Sequence, residues 1–425
     1  MAGSDSPLHD PRRAVEAVWR IESARLIASL VRMVRDIDLA EELAQDALVA
    51  ALEHWPTSGV PDKPGAWLMA SAKNRAIDRL RQGKLHREKD AFLADELDAQ
   101  GEDAMRRSEA SLDDPFGDDL LRLVFIACHP VLSMDARVAL TLRLLGGLST
   151  DEIARAYLMP EATVAQRIVR AKRNLAEAKA PFETPGKTEI PERLPSVLAV
   201  LYLIFNEGYS ATSGEQWMRP QLCEESLRLC RILTGLLPRE PEVHGLAALM
   251  EIQSSRLGAR QGRDGEPVLL LDQDRSRWNQ LLIHRGLSAL ERARALGGES
   301  GPYALQAAIA ACHARAASAD ATDWPRIAAL YGELARVMPS PVVELNRAVA
   351  VGMAQGPAAA LALVDALADE PILRGYHLLS SVRADLLAKL DRPSEAAQEF
   401  RRAAALTRNQ RERELLIRRA TDCER

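Results

Sequence analysis

Apolar residues recur at intervals of three and four along most of the chain, which is the spacing of one helix face. Over 36–55 they fall at Ala40, Leu43, Ala44, Ala47, Leu48, Ala51 and Trp55, predicting a helix that Asp36 or Asp38 can cap. A turn-rich loop follows from Gly59 to Gly65. Pro64 then suits the first turn of a second predicted helix over 65–84. The segments 118–128 and 134–147 also read as helices, and 148–175 reads as two helices joined by a short turn. Ser149 and Glu152 have capping-box spacing, and Pro160 opens the second helix of the pair. Small Ala154 allows close approach, while Val164, Ile168, Ala171 and Leu175 form its buried stripe. This is a helix-turn-helix pattern. No alternating run rich in Val, Ile or Thr predicts a sheet, so the expected fold class is all-α.

A length of 425 residues implies roughly two to four domains, and 47% hydrophobic residues supply their cores. Two breaks divide the chain. From Glu88 to Asp119 there are twelve acids and three bases, the composition of an acidic linker. From Ala180 to Pro195 four prolines fall in sixteen residues, a density expected to exclude helix. The predicted units are 10–86, 118–180 and 190–425, with the linker at 87–117. No uncharged apolar window reaches membrane-spanning length and the N-terminus lacks a signal-peptide core, so a cytoplasmic protein is expected. Its five cysteines are scattered, with no C-x-x-C pair and no zinc-finger spacing. Disulfides, structural zinc and other cofactors are not expected.

Charge changes the picture in the first unit. Residues 36–53 carry six acids and no bases, whereas 67–87 carry six bases and one acid, so the two helices are expected to face different partners. On the first, Glu41, Glu42, Gln45, Asp46 and Val49 lie outside the apolar stripe: either a solvated face or a docking surface for a basic partner. On the second, a helical wheel groups Ala66, Met69, Ala70, Ala76, Ile77 and Leu80 on one side. Trp67, Ser71, Asn74, Arg75, Asp78 and Arg81 fall on the other. Cations that follow phosphates, a ring that stacks on a base and an Asn that reads a base edge together suit single-stranded nucleic acid. The alternative is that Trp67 packs under the preceding helix.

The pattern D-x-x-x-A-E-E-L-x-Q-D-A, a loop, then A-W-L-x-x-x-A-x-N-R-A-I-D-R-L-R resembles domain 2 of the extracytoplasmic-function sigma factors of bacterial RNA polymerase. That resemblance implies that Asp38, Glu41, Glu42, Gln45, Asp46 and Val49 bind the clamp helices of the polymerase's largest subunit. It also implies that the loop with Lys63, and Trp67, Ser71, Asn74, Arg75, Asp78, Arg79 and Arg81, capture the melted minus-10 element. In the helix-turn-helix, Ala162, Gln166, Arg170 and Arg173, flanked by Thr163 and Arg167, can meet major-groove edges and phosphates, and Glu161 can accept from a cytosine amino group. Following a melted-strand module and an acidic linker, this segment resembles domain 4 of the same sigma factors. It implies minus-35 recognition and contact with the flap of the second-largest subunit.

The remaining residues contain a repeat. Residues 346–367 align with 382–403 at an offset of 36: Arg347 with Arg383, Ala348 with Ala384, Pro357 with Pro393, Ala360 with Ala396 and Val364 with Phe400. Small residues, a turn and an Ala-x-x-x-Phe helix resemble a tetratricopeptide repeat. The strings YLIFNEGYSA, GLAALMEIQSSRLGAR, LLLDQDRSRWN, GPYALQAAIAACHA and TDWPRIAALY are similar to a sigma-factor subgroup with such an extension. A regulatory role in cis, or binding of an unknown protein or peptide, would follow.

Other chemistry finds little support. Asp272, Asp274 and Ser276 start like a calcium loop, but Arg277 and Ile283 stand where Gly and Glu are needed. Salt bridges and a helix cap are expected there instead, and Asn206, Glu207 and Tyr209 fit either a polar junction or a ligand pocket. No nucleophile elbow, P-loop or H-E-x-x-H occurs, and no convergent carboxylate set supports a metal-dependent hydrolase, so the protein is not expected to be an enzyme. The competing reading is a helix-turn-helix repressor or activator with a helical-repeat, protein-binding domain.

Overall fold

The computed structural model describes residues 11–90, 116–157, 159–178, 180, 189–262 and 265–424. The acidic linker falls almost wholly outside them. The described fold is all-α apart from one two-residue parallel strand pair, and it divides into two compact units at Val200/Leu201.

In the first unit, α1 (Pro11–Val34), α2 (Ile37–Ser58) and α3 (Pro64–Asp90) pack together. The Asp36 carboxylate accepts from the Leu39 N–H at 2.9 Å and starts α2, which stops at Gly59 with φ +84°. Helix α4 (Phe116–Ala127) lies against α1, followed by α5 (Met134–Leu144), α6 (Thr150–Tyr157) and α7 (Glu161–Glu177). The capping box forms as expected: the Glu152 carboxylate accepts from the Ser149 N–H at 2.8 Å and the Ser149 hydroxyl accepts from the Glu152 N–H at 3.1 Å.

Helix α8 (Ile190–Tyr209) corrects one expectation, because Pro191 and Pro195 both lie within it. Pro191 occupies the first turn, where a helix has no N–H bond to lose, and Pro195 removes only the next-turn bond. The beginning of α8 is anchored in the first unit: Arg193 donates to the Phe125 carbonyl, and Ser196 donates to the Cys128 carbonyl and accepts from Arg137.

The second unit contains α9 (Pro220–Leu236), α10 (Pro241–Ser254), α11 (Gln280–Ala295), α12 (Pro302–Arg315), α13 (Trp324–Val337), α14 (Pro341–Gln355), α15 (Pro357–Ala366), α16 (His377–Lys389), α17 (Pro393–Leu406) and α18 (Gln410–Asp422). A side chain at Gly286 would strike Ile252 at 2.5 Å, so the close approach of α11 to α10 depends on that glycine. The 36-residue repeat is visible as two helical hairpins, α14–α15 and α16–α17. Pro357 and Pro393 each open the second helix of a hairpin. Ala348 and Ala384, Ala360 and Ala396, and Val364 and Phe400 are buried in matching places. Strands β1 (Ser213–Gly214) and β2 (Arg408–Asn409) pair in parallel and tie the end of this unit to its beginning. The buried Asn409 amide reinforces the tie by donating to the Ala211 and Gln216 carbonyls.

Candidate polymerase and promoter interface

Helix α7 presents its two faces as the sequence predicts. Val164, Ile168, Ala171 and Leu175 are buried. Glu161, Ala162, Thr163, Gln166, Arg170 and Arg173 are exposed on the other side. Val169, at 65% exposure, shares that outer face and was not anticipated as part of it. Arg167 is held back, half-buried, by Asp135 at 3.2 Å and by the Met159 sulfur. Arg173 pairs with Glu177 at 3.5 Å on the surface, a weak tie that a phosphate can replace.

On α2 the expected acidic face is split. Asp38, Glu42, Gln45 and Val49 are exposed and Asp46 is half-exposed. Glu41 is only 7% exposed, contrary to its expected place on an outer face. The cause is ion pairing across the unit, which hydrophobic periodicity does not register. Arg143 of α5 donates to Glu41, and Lys172 of α7 reaches Glu41 at 2.8 Å and Asp38 at 2.6 Å. Burial opposes the charge on Lys172, but the two carboxylate hydrogen bonds outweigh it and raise the ammonium's pKa. Neither Arg143 nor Lys172 was singled out from the sequence. The available signals were an arginine inside the apolar run of α5 and a lysine directly after the buried Ala171.

Helices α2 and α3 were expected to face different partners, yet their charged residues meet. Arg75 lies 3.5 Å from Asp46, and Arg79 lies 2.8 Å from Glu42. These pairs are about half exposed, so each contributes little and parts readily. The apolar side of α3 also differs from the wheel's grouping. Leu68, Ala72 and Ala76 are its buried residues, whereas Ala66 and Ala70 are exposed. Lys63, Asn74, Asp78, Arg79 and Arg81 are open to solvent, and Ser71 and Arg75 are partly covered. Trp67 is half-buried, its ring edge-on to the buried Trp55 at 5.6 Å, so it packs under the preceding helix.

Other candidate chemistry resolves into structure. Glu207 pairs with Arg219 and accepts from Thr212, forming a polar junction. Asp274 caps its own loop through Ser276, and Arg275 donates to backbone carbonyls in place of the expected salt bridge. Cys128 sits beside Thr141 at 3.4 Å with its thiol pushed up by burial to about 11, which suits a core residue. Among the described residues, no group of three or more His, Cys, Asp or Glu could hold a metal, and no helix is long and apolar enough to cross a membrane.

Comparison with known proteins meets this geometry in three places. Sigma-70 region 2 matches residues 21–85, sigma-70 region 4 matches 122–175, and a family of unknown function, DUF6596, matches 193–294. An uncharacterized protein of Rhizobium meliloti is 44% identical over 385 residues, covering 90% of this chain and 89% of its own. A probable ECF RNA polymerase sigma factor SigI of Mycobacterium tuberculosis is 30% identical over 171 residues, which span 40% of this chain and 56% of that one. The RNA polymerase sigma-H factor of Pseudomonas aeruginosa is 28% identical over 172 residues, or 40% of this chain and 89% of its own. No solved structure matches the chain. Residues 21–85 and 122–175 thus carry, in order and on the helices described above, segments similar to sigma-70 regions 2 and 4, and over about two fifths of its length the chain is similar to extracytoplasmic-function sigma factors, which are non-catalytic transcription initiation factors.

Proposed function

We propose that the chain binds core RNA polymerase through the outer face of α2, reads a minus-35 element with α7 and holds the melted minus-10 element with the loop before α3 and the exposed face of α3. The polymerase contacts would be the clamp helices of the largest subunit, met by Asp38, Glu41, Glu42, Gln45, Asp46 and Val49, and the flap of the second-largest subunit, met by region 4. The observation that carries this reading is the division of α7. A completely buried stripe faces the unit's core, while Gln166, Arg170 and Arg173 stand outward on the opposite side. A base-reading helix needs that arrangement.

Glu41, Asp38, Glu42 and Asp46 are all engaged by cations of α3, α5 and α7. Docking therefore exchanges these internal cations for those of polymerase, and parting Arg143 and Lys172 from Glu41 is the costly step because that carboxylate is buried. The matched hairpins α14–α15 and α16–α17 support a tetratricopeptide-like second unit that regulates initiation in cis or binds a protein or peptide. Run-off transcription tests both statements, comparing the full chain with a truncation ending at Val200, which keeps the anchoring start of α8. Transcripts from core polymerase with the full chain are expected; their absence with every promoter would refute the assignment. A difference between the two proteins measures the second unit's effect.

A further inference from the structure

The second unit gathers three arginines around three aromatic rings. The Arg260 guanidinium lies 3.6 Å from the centre of the Tyr209 ring and 4.4 Å from that of Trp217. Arg256 lies 5.8 Å from the Tyr209 ring and 5.7 Å from the Trp278 ring, and Arg275 lies 4.7 Å from Trp278. Arg256 is thus the hub, sharing one ring with each of the other two.

One buried positive charge, Arg256, and two partly buried ones, Arg260 and Arg275, need compensation. Among the described residues, none of these arginines pairs with a carboxylate. Arg275 caps the end of α12 through the His313 and Ala316 carbonyls and Thr322. Arg260 donates to the Tyr209 carbonyl and the Met218 sulfur. Arg256 is 6% exposed and bonds Gln253, but its Nε has no partner. The Nε1 of Trp278, 3% exposed, and the Nδ1 of His313, 8% exposed, also lack partners. Stacking on rings offsets part of the cost but leaves the Arg256 and Trp278 N–H groups and the His313 ring nitrogen without partners.

We propose that Arg256, with Arg260 and Arg275 beside it, forms a binding site for a small oxyanion, a carboxylate or phosphate. Guanidinium groups match both shapes through paired N–H bonds. The burial of Arg256 selects a small free molecule over the surface of a macromolecule. The electrostatics agree with the geometry. Burial lowers the pKa of Arg260 and of Arg275, and the charge of Arg256 lowers each further. His313 is pushed down to about 4 by burial first, then by Arg256 and Arg275. A bound anion relieves all three. This site is independent of the polymerase and promoter assignments.

Thermal unfolding of the full chain tests the site, with inorganic phosphate and acetate as separate probes and chloride at matched ionic strength as the reference. The expected result is a rise of at least about 3 °C with one of the two probes, which also identifies the anion class. Arg256→Gln removes the rise, while Arg277→Gln on the exposed neighbouring loop retains it. Should Arg256→Gln fail to fold, loss of the rise in Arg260→Gln, a partly exposed position, decides in its place. No rise with either probe overturns the proposal and leaves the arginines as a stacking clamp. A rise that survives both Arg256→Gln and Arg260→Gln also overturns it.

Discussion

The Lys172 ammonium of α7 lies 2.8 Å from the Glu41 carboxylate of α2. Both side chains are largely buried, with Lys172 at 11% and Glu41 at 9% side-chain exposure. One ion pair therefore couples the two helices whose outer faces are proposed to meet different partners. Removing Lys172 should free Asp38 and weaken the hold on Glu41, leaving Arg143 as its remaining cation. Lys172→Ala is expected to tighten core polymerase binding by roughly three- to tenfold, as when a competing closed state loses population. Fluorescence anisotropy with labelled protein reads this directly. Unchanged or weaker binding would show that the pair does not compete with docking.

Asp46 is half exposed and, among the described residues, held only by a surface pair to Arg75, so its role can be tested without disturbing the core. Asp46→Arg places a cation on the proposed docking face and should lower core polymerase affinity at least about tenfold. Retention of wild-type binding in a pull-down would remove α2 from the interface.

Arg170 stands on the outer face of α7. If it reads a base, Arg170→Ala should cost about 1 to 3 kcal/mol of duplex recognition and relax specificity at one position. Footprinting of the upstream promoter element by holoenzyme measures it, and unaltered protection would assign Arg170 to solvent.

Much of this was legible in the chain. The α7 stripe could be read because its four apolar residues are neighbours on one helix face, and apart from Val169 the rest of the helix is polar or small. The repeat in α14–α17 could be read because each hairpin uses proline at the same place and small residues where helices touch. Glu41 could not be placed, because its burial depends on Arg143 and Lys172, more than a hundred residues away. The wheel of α3 failed for a different reason: it grouped residues by angle while leaving out the buried Leu68 and Ala72. Trp67, left open between stacking and packing, rests against Trp55. The arginine cluster was invisible because Tyr209, Arg256, Arg275 and His313 lie on four separate segments.

Phe400 fills the core of the α16–α17 hairpin, is 1% exposed and carries the Arg419 guanidinium 4.4 Å from its ring. Phe400→Ala should destabilise the second unit by about 3 to 5 kcal/mol. Urea unfolding followed by circular dichroism should show the loss, and a change below about 1 kcal/mol would mean that this hairpin does not hold the unit together.

His313 should make the same unit acid-sensitive. Its folded pKa of about 4 lies below the ordinary 6.5, because burial and the charges of Arg256 and Arg275 disfavour its protonation. The unfolded chain therefore takes up the proton first as pH falls. The contribution is fully present above about pH 6.5 and is lost as pH falls towards 4, up to roughly 3 kcal/mol. Comparing pH-dependent melting of wild type with His313→Gln isolates this part. Identical slopes over that window would contradict it.

The central claim is that this chain directs RNA polymerase to promoters through α2 and α7. Run-off transcription from a promoter-selected library, with purified core polymerase and the full chain, measures it most directly. The predicted result is transcript that requires both proteins and falls with either Asp46→Arg or Arg170→Ala. If no promoter yields transcript while the chain alone shifts duplex DNA, the initiation account is contradicted and a free-standing helix-turn-helix regulator takes its place.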